Sequence, residues 1–256
     1  MIDPEEDAAR RDILRIGAFL HQKSLVAASD GNISVRLQGS GGGRILTTPT
    51  SMSKGLMESD DLVLVDLQGN KLAGRRNASS ELAMHLLIYE LRPEINGVVH
   101  AHPPAATGFA ASGIALNQAL LAEVVLALGC VPLAEYGTTG TPELSAKLRP
   151  LVPHYDAILM ANHGVVTYGD SVMSAYFKME TVEHFARISI VSHILGRQNL
   201  LGRDEVDKLM IARQRYEGIT TAAALGANCP VVRDERAAAA PPLPAAAPAS
   251  NGKRRW

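Results

Sequence analysis

The chain has 256 residues and a formal net charge of −1, with 25 Lys and Arg against 26 Asp and Glu. A chain of this length can bury a substantial core without disulfides or structural metals, and its balanced charge gives no basic field to attract nucleic acid or acidic lipid. It has two cysteines and no apolar run of the ~18 residues that a membrane span needs. The sequence therefore predicts a cytoplasmic globular protein without nucleic-acid or membrane partners.

The first predicted elements are a helix and three short strands. Apolar side chains recur at helical spacing over residues 5–23, which predicts a helix there. Strands are expected over 33–37, 44–49 and 62–67, from their apolar alternation and flanking turns. The glycine-rich run 39–43 fits a hairpin loop better than a phosphate-binding loop, because no helix follows it directly.

The middle of the chain is predicted to continue with a helix and a buried strand. The helix should run from Ser80 to about Leu91, with Ser79 or Ser80 as its N-cap. The strand should span 95–102 and end at Pro103, which breaks the ladder. Later expectations are a helix through Ala111, a strand or a helix at 124–129, a helix opened by Thr141 and Pro142, two strands within 156–169 joined at His163-Gly164, and helices over 171–196 and 203–216.

This alternation of helices and strands around one core predicts a single α/β domain. The domain should span residues 1–232. Residues 233–256 differ in composition, because alanine and proline dominate and few large apolar side chains are available for burial. That stretch is predicted to be a disordered tail.

Three histidines form the main candidate for chemistry. Alternate side chains on a strand share a face, so His100 and His102 should project together. Such pairs also occur in cores and at sheet rims without a metal. His163 adds to them, because it stands where an apolar strand stops at a turn, although a turn histidine can simply bond to backbone. Three histidines from two strands match the open coordination of catalytic zinc sites.

Glu81 is the candidate acid or base, at the start of the predicted helix beside Ser79 and Ser80. Taken alone, it is better explained as a carboxylate that stabilises a helix N-terminus. The same helix end, with its hydroxyls and free amides, is also suited to a phosphate or carboxylate ligand. His85, one turn later, could pair with Glu81 on a metal, but we expect it to be a packed helix residue.

Five short motifs together resemble one family, the class II aldolase/adducin family. They are GNISVR (31–36), LTTPTS (46–51), SSE (79–81), VVHAHP (98–103) and NHG (162–164). Each is weak alone, but the order and spacing of all five are highly specific. The resemblance extends from about residue 9 to residue 217, and within the family the chain is most similar to the L-fuculose-1-phosphate aldolase branch.

The resemblance implies a three-layer α/β/α fold around a mainly antiparallel sheet, in a homotetramer with active sites between subunits. It implies one divalent ion per chain on His100, His102 and His163, either Zn²⁺ or, as alternatives, Mn²⁺ or Co²⁺. It makes Glu81 the proton-transfer residue and a metal ligand when substrate is absent, and gives Tyr216 a looser match to a tyrosine that reaches a neighbouring site. The positions that match the family's phosphate-binding residues are Gly31, Asn32, Thr50, Ser51, Ser79 and Ser80.

The function implied is a metal-dependent lyase that cleaves a ketose 1-phosphate to dihydroxyacetone phosphate and an aldehyde. The chain departs from the family at Ser51, where glycine is common, and at 120–129, which lacks an expected tyrosine. The alternatives are a sugar-phosphate epimerase, dehydratase or decarboxylase acting on a phosphorylated or carboxylated substrate. An epimerase would need a second proton-handling group, for which the stretch before Pro132 offers Glu123. A non-catalytic adducin-like module is the third class, disfavoured by the histidines and Glu81.

Overall fold

A computed structural model of the protein describes residues 3–39 and 43–213. The predicted tail at 233–256 and Tyr216 lie outside the described residues. The helices are α1 (Pro4–Gln22), α2 (Leu82–Leu91), α3 (Pro104–Ala111), α4 (Ala122–Ala127), α5 (Pro142–Leu148), α6 (Val172–Ile194) and α7 (Arg203–Arg213). The strands are β1 (Asn32–Leu37), β2 (Arg44–Thr47), β3 (Val63–Asp66), β4 (Lys71–Ala73), β5 (Gly97–Ala101), β6 (Leu133–Ala134), β7 (Ala157–Met160) and β8 (Gly164–Gly169).

All these strands form one sheet, in the order β4-β3-β2-β1-β5-β8-β7-β6. Every pairing is antiparallel except β6 with β7, which is parallel. The fold is therefore α/β around a mainly antiparallel sheet, as predicted. β5 lies at the centre between β1 and β8, with Asn32 opposite His100 and Val166 opposite His100 from the other side.

Helices cover both faces of the sheet, which gives three layers. Alternate strand residues point to opposite faces, so Val99 and Ala101 join the core under α1, α3 and α6. Val98 and Val166 join the core under α2 and α5. His100 has the parity of Val98, so its side chain faces the α2 layer. Among the described helices, none is both long and apolar enough to cross a membrane.

Three of the described helices, α1, α5 and α6, begin with a side-chain N-cap. The Asp3 side chain accepts a hydrogen bond from Glu5 N at 3.1 Å at the start of α1. Thr141 caps α5 through Glu143 N, with Pro142 in the first turn as predicted. Ser171 caps α6 through Ser174 N. Each side chain satisfies an amide that the helix leaves without a partner.

The start of α2 differs from its prediction. The helix begins at Leu82, so the predicted N-cap at Ser79 or Ser80 is wrong, and Glu81 occupies the N-cap position without a capping hydrogen bond from its side chain. The Ser79 hydroxyl instead accepts a hydrogen bond from Glu81 N at 3.2 Å. This turn before the helix leaves the Glu81 carboxylate free to point elsewhere.

Other differences concern short or ambiguous segments. The segment 124–129, open between strand and helix, forms most of α4. The edge strands β4 and β6, with three and two residues, were not predicted because they are too short for a periodic pattern. The strand predicted over 95–102 ends at Ala101, so His102 lies just beyond it.

Candidate metal centre and proton-transfer site

The three predicted histidines lie together at one end of the central strands. His100 is on β5, His102 follows it, and His163 is in the turn between β7 and β8. Their ring centroids are 4.7 to 5.0 Å apart, and one ligand atom from each lies within 4.8 Å of the others. The antiparallel pairing of β5 with β8 places the turn at 163 beside the end of β5. The sheet therefore brings together residues more than 60 positions apart.

The outer nitrogens of two rings are held by oxygen acceptors. His100 Nδ1 lies 2.8 Å from the Val165 carbonyl oxygen, and His102 Nδ1 lies 3.3 Å from a carboxylate oxygen of Asp30. An imidazole whose Nδ1–H donates to oxygen carries its free lone pair on Nε2. Carbonyl and carboxylate partners of this kind orient metal-binding histidines.

The inward-facing nitrogens of these two rings lie close together. His100 Nε2 and His102 Nε2 are 3.1 Å apart, and His100 Nε2 also lies 3.3 Å from Glu81 Oε2. At this separation the two nitrogen lone pairs repel unless a proton or a metal cation lies between them. Burial, with His100 and His163 nearby, lowers the pKa of His102 to about 4, so that ring is neutral at pH 7, which metal ligation requires. The donor set therefore fits a divalent metal ion.

Two glycines allow the histidines to approach. A Cβ on Gly164 would lie 2.5 Å from His102 Cδ2 and 2.6 Å from the Ala101 carbonyl oxygen. A Cβ on Gly31 would lie 2.7 Å from the His100 carbonyl oxygen, and Gly31 has φ of +74°, in the left-handed region. Any side chain at either position would displace the strand end that carries the ligands.

Glu81 points into the histidine cluster. Its Oε1 lies 3.1 Å from His163 Nε2 and its Oε2 lies 3.3 Å from His100 Nε2. Burial opposes ionisation, but the charges and hydrogen bonds of His100 and His163 outweigh it and lower the pKa of Glu81 well below its usual range. Oε1 is buried without a hydrogen bond of good geometry. The carboxylate thus lies where a group that ligates a metal or transfers a proton is needed.

His85 does not join this cluster, in agreement with its prediction as a packed residue. It is buried under α2, with Nδ1 2.6 Å from Ser34 Oγ and Nε2 2.5 Å from Asn32 Oδ1. Asn32, a predicted phosphate contact, donates from Nδ2 to Glu81 Oε2 at 2.8 Å. Its amide is therefore already engaged with Glu81 on one side and His85 on the other.

The other predicted phosphate contacts lie on neighbouring loops. Thr50 N donates to the Asn77 carbonyl oxygen at 3.1 Å, and Ser79 N donates to the Thr48 carbonyl oxygen at 3.2 Å. These bonds join the loop that carries Thr50 and Ser51 to the loop that carries Ser79 and Ser80. Ser51 and Ser80 are exposed. Their hydroxyls are available to a ligand, although phosphate binding itself stays a prediction.

Two residues near the site were missed by sequence reasoning. Asp30 orients His102, and Lys54 is buried, with Nζ donating 2.9 Å to the Ser29 carbonyl oxygen and 2.5 Å to that of Met52. Burial, opposed by Asp30 and Glu81, lowers the pKa of Lys54 to about 8. Lys54 joins the loop before Gly31 to the loop after Ser51. Both residues stand in polar loops without periodicity, so the sequence carried no signal for them.

The chain is similar in sequence to known proteins of one family. The sequence profile of the Class II Aldolase and Adducin N-terminal domain matches residues 11–190. An L-fuculose phosphate aldolase of Methanococcus maripaludis is 32% identical over 184 residues, which is 72% of this chain and 97% of the relative. A 3-oxo-tetronate 4-phosphate decarboxylase of Pectobacterium atrosepticum is 32% identical over 210 residues, which is 80% of this chain and 93% of the relative.

Solved structures show the same fold. The crystal structure of YgbL from Klebsiella pneumoniae, for which aldolase, epimerase and decarboxylase activities are suggested, superposes with a TM-score of 0.75 at 30% identity. The match covers 81% of this chain and 100% of YgbL. The region matched by the family profile, residues 11–190, includes the three histidines and Glu81. By sequence and by fold, this chain belongs to the class II aldolase and adducin N-terminal domain family.

Proposed function

We propose that this protein is a metal-dependent lyase that cleaves a ketose 1-phosphate to dihydroxyacetone phosphate and an aldehyde. The observation that carries the proposal is the Glu81 carboxylate, which lies within 3.3 Å of the inward-facing Nε2 atoms of His100 and His163. An acid or base beside a three-histidine metal site is the minimum that enolate chemistry needs.

His100, His102 and His163 would hold one Zn²⁺, which supplies Lewis acidity toward the carbonyl and neighbouring hydroxyl oxygens of the substrate. Glu81, which is ionised at rest, would first accept the proton, directly or through solvent, that leaves the hydroxyl group as it becomes the aldehyde. It would then deliver that proton to the carbon that keeps the electron pair when the carbon–carbon bond breaks. Asp30 would orient the His102 ring, and the Val165 carbonyl would orient the His100 ring. A lysine that forms a Schiff base with the substrate is not required, because the bound metal would polarise the substrate carbonyl group.

The substrate phosphate would bind to the joined loops of Thr50, Ser51, Ser79 and Ser80, with Gly31 nearby. Hydroxyls and backbone amides of this kind bind phosphate without a full charge of their own. Holding the phosphate fixes the reacting carbon relative to the metal and Glu81, so that binding energy is converted to orientation. We also propose the homotetramer, with Tyr216 reaching a neighbouring site.

Decarboxylation of a phosphorylated 3-oxo acid is the second candidate. It would use the same three histidines and Glu81, with a bound metal ion supplying Lewis acidity and carbon dioxide lost in place of the aldehyde. The relative from Pectobacterium atrosepticum favours it, since its similarity extends over more of this chain than that of the Methanococcus maripaludis aldolase. The lack of a tyrosine at 120–129 also weakens the case for a fuculose-type aldehyde.

The test is a substrate panel assayed with zinc-loaded protein and a matched pair of variants. Ketose 1-phosphates would report aldol cleavage through dihydroxyacetone phosphate, and 3-oxo-acid phosphates would report decarboxylation through carbon dioxide. We expect Glu81→Gln to lower turnover by roughly 10²–10⁴-fold with metal still bound, because it keeps size but removes proton transfer. Glu90→Gln, on the exposed face of α2 where Glu90 pairs with Arg149, should leave turnover unchanged.

The metal content of each variant must be measured with the rate, because Glu81 contacts the ligand histidines. Near-normal cleavage by a fully metallated Glu81→Gln protein would overturn the assigned role. If the wild-type protein releases carbon dioxide and no dihydroxyacetone phosphate, decarboxylation replaces cleavage.

A further inference from the structure

A buried row of hydrogen bonds runs from α2 through β1 to the catalytic carboxylate. Its links are Tyr89 Oη to Ser34 Oγ at 2.8 Å, Ser34 Oγ to His85 Nδ1 at 2.6 Å, His85 Nε2 to Asn32 Oδ1 at 2.5 Å, and Asn32 Nδ2 to Glu81 Oε2 at 2.8 Å. The four residues before Glu81 are each at most 3% exposed. They lie on adjacent turns of α2 and alternate positions of β1, so the helix–sheet packing aligns them.

The direction of every bond follows from the last one. An ionised carboxylate only accepts, so Asn32 must present its NH₂ group to Glu81. The Asn32 carbonyl oxygen then faces His85, which must donate from Nε2 and therefore accept at Nδ1. Ser34 must donate to that nitrogen and accept from Tyr89. Each residue uses the donor or acceptor that its neighbour leaves open, so the row has one consistent orientation.

His85 is suited to this task because it is neutral. Burial, together with the nearby charge of His100 and against that of Glu81, lowers the pKa of His85 to about 3. A neutral imidazole has one donor and one acceptor nitrogen, which is what the row requires at this point. With its amide turned over, Asn32 would present oxygen to the ionised carboxylate and NH₂ to the donor on His85, and both contacts would be unfavourable. The donor on His85 prevents that rotation.

We propose that His85 is a positioning residue that acts through Asn32 to hold the Glu81 carboxylate in its reactive orientation. One consequence is that Asn32, by this geometry, serves Glu81 with its side chain, so that any phosphate contact at 31–32 comes from the backbone. The positioning role rests on the proposed function, because it assumes that Glu81 transfers the proton. The geometric part of the proposal, which is the direction of the hydrogen bonds in the row, does not depend on that function.

The geometric part is tested on the metal-free wild-type protein by ¹⁵N NMR of its histidine side chains. His85 should show a protonated Nε2 and a bare Nδ1 across the neutral pH range. The opposite tautomer would mean that Asn32 presents oxygen to Glu81, and it would overturn the proposal. The tautomer of His85 can be determined whether or not the protein cleaves the sugar phosphates tested. A failure to cleave them would count against the proposed function alone.

The positioning role is tested with two variants at one position. His85→Leu removes the donor to Asn32, and we expect kcat to fall ~10–100-fold, as for the outer partners of other metal sites, with KM and zinc content unchanged. His85→Gln can still donate an amide N–H to Asn32, so it should recover most of the lost turnover. Equal kcat for the folded, zinc-loaded Leu variant and the wild type would overturn the proposal, as would a loss that glutamine does not recover.

A second comparison covers the case in which His85→Leu fails to fold. Tyr89→Phe removes the first donor of the row, whereas Tyr168→Phe removes an equally buried hydroxyl that bonds to the Tyr155 carbonyl oxygen at the other end of the sheet. Both variants should lose similar stability, but Tyr89→Phe alone should lower kcat, by a few-fold, and shift the His85 ¹⁵N resonances. Identical kinetics and unshifted resonances in the two variants would contradict a row that reaches Glu81.

Discussion

The two ends of the β7–β8 hairpin carry buried polar clusters of opposite character. At the turn, His163 meets His100, His102 and Glu81, and two buried atoms there, Glu81 Oε1 and His163 Nδ1, lack hydrogen bonds. At the open end, Asp156 accepts from Arg92 at 3.0 Å and from Lys178 at 2.8 Å. At the turn a carboxylate faces imidazoles, which carry charge only when protonated, and at the open end a carboxylate faces two permanently charged cations.

This difference distinguishes a polar cluster that stabilises the fold from one that awaits a ligand. Around Asp156, each cation has a counter-charge, and Lys178 also donates to the Tyr168 carbonyl oxygen at 2.9 Å. Removing one partner there leaves a buried charge uncompensated. In the histidine cluster the Glu81 carboxylate faces imidazoles, and a bound metal ion would supply a permanent positive charge. The first cluster should therefore matter for stability and the second for binding and chemistry.

The largest effect is expected at the paired end. Asp156→Ala should destabilise the protein by about 3–5 kcal/mol, because Arg92 and Lys178 lose their buried counter-charge. Denaturant unfolding would measure the loss. Glu135→Ala, which removes the exposed partner of Lys147, is the matched control and should change stability little. If Asp156→Ala lowers the free energy of unfolding only slightly, the Asp156 cluster does not stabilise the fold as proposed.

At the histidine end, the expected effect depends on metal. Zn²⁺ should stabilise the wild-type protein by about 2.7 kcal/mol at a free concentration 100 times its Kd, and His102→Ala should abolish most of that gain. Without metal, His102→Ala should change stability little, because the partly exposed ring is then held by its contacts with His100 Nε2 at 3.1 Å and Asp30 at 3.3 Å. His184→Ala, on the exposed face of α6, should keep the zinc response. Thermal unfolding with and without zinc distinguishes these outcomes.

A smaller effect should appear in the pH dependence of stability. The pKa of His85 is lowered by burial to about 3 from its usual 6.5. Between these values the unfolded chain binds a proton that the folded chain excludes, so the free energy of unfolding falls as pH is lowered. The contribution approaches about 1.4 kcal/mol per pH unit. His85→Gln should flatten the plot of unfolding free energy against pH between pH 6 and 4 relative to wild type. Parallel plots for the two proteins would contradict the lowered pKa of His85.

The smallest effect is expected at Ser51, in the loop proposed to bind phosphate. Ser51 has φ of +54°, in the left-handed region, which costs a non-glycine residue roughly 1–2 kcal/mol. Glycine loses about 0.5–1 kcal/mol through its greater chain entropy. Ser51→Gly should therefore stabilise the protein by about 0–1.5 kcal/mol. An unfolding midpoint that drops would show that the Ser51 hydroxyl contributes more than the strain costs.

The sequence predicted the elements that have a strong local pattern. The helix over 171–196 and the turn at His163-Gly164 follow from periodicity and from the residue types at their ends, and the structure has both. The clustering of the three histidines followed from strand alternation and from one turn. The family resemblance then added the three layers and the mainly antiparallel sheet, which local patterns do not determine.

The remaining parts depend on contacts between distant segments. Glu81 was expected in the first turn of a helix, but the Ser79 turn before α2 directs it to the histidines. Asn32 was predicted from the family to bind phosphate, whereas its side chain bonds to Glu81 and His85. Register between β1 and β5 and the packing of α2 on that face decide both. No local property of these residues in the sequence specifies such contacts.

Gly31 and Gly164 have a consequence for how this chain tolerates change. Neither has a side chain to offer a ligand or a substrate, yet each lies within 2.7 Å, counted from a hypothetical Cβ, of backbone that carries a histidine. In a library that samples all twenty amino acids at every position, these two sites should accept as few replacements as the histidines themselves. Their variants should lose zinc while every ligand is still present, so a depleted position in such a library does not by itself identify a ligand.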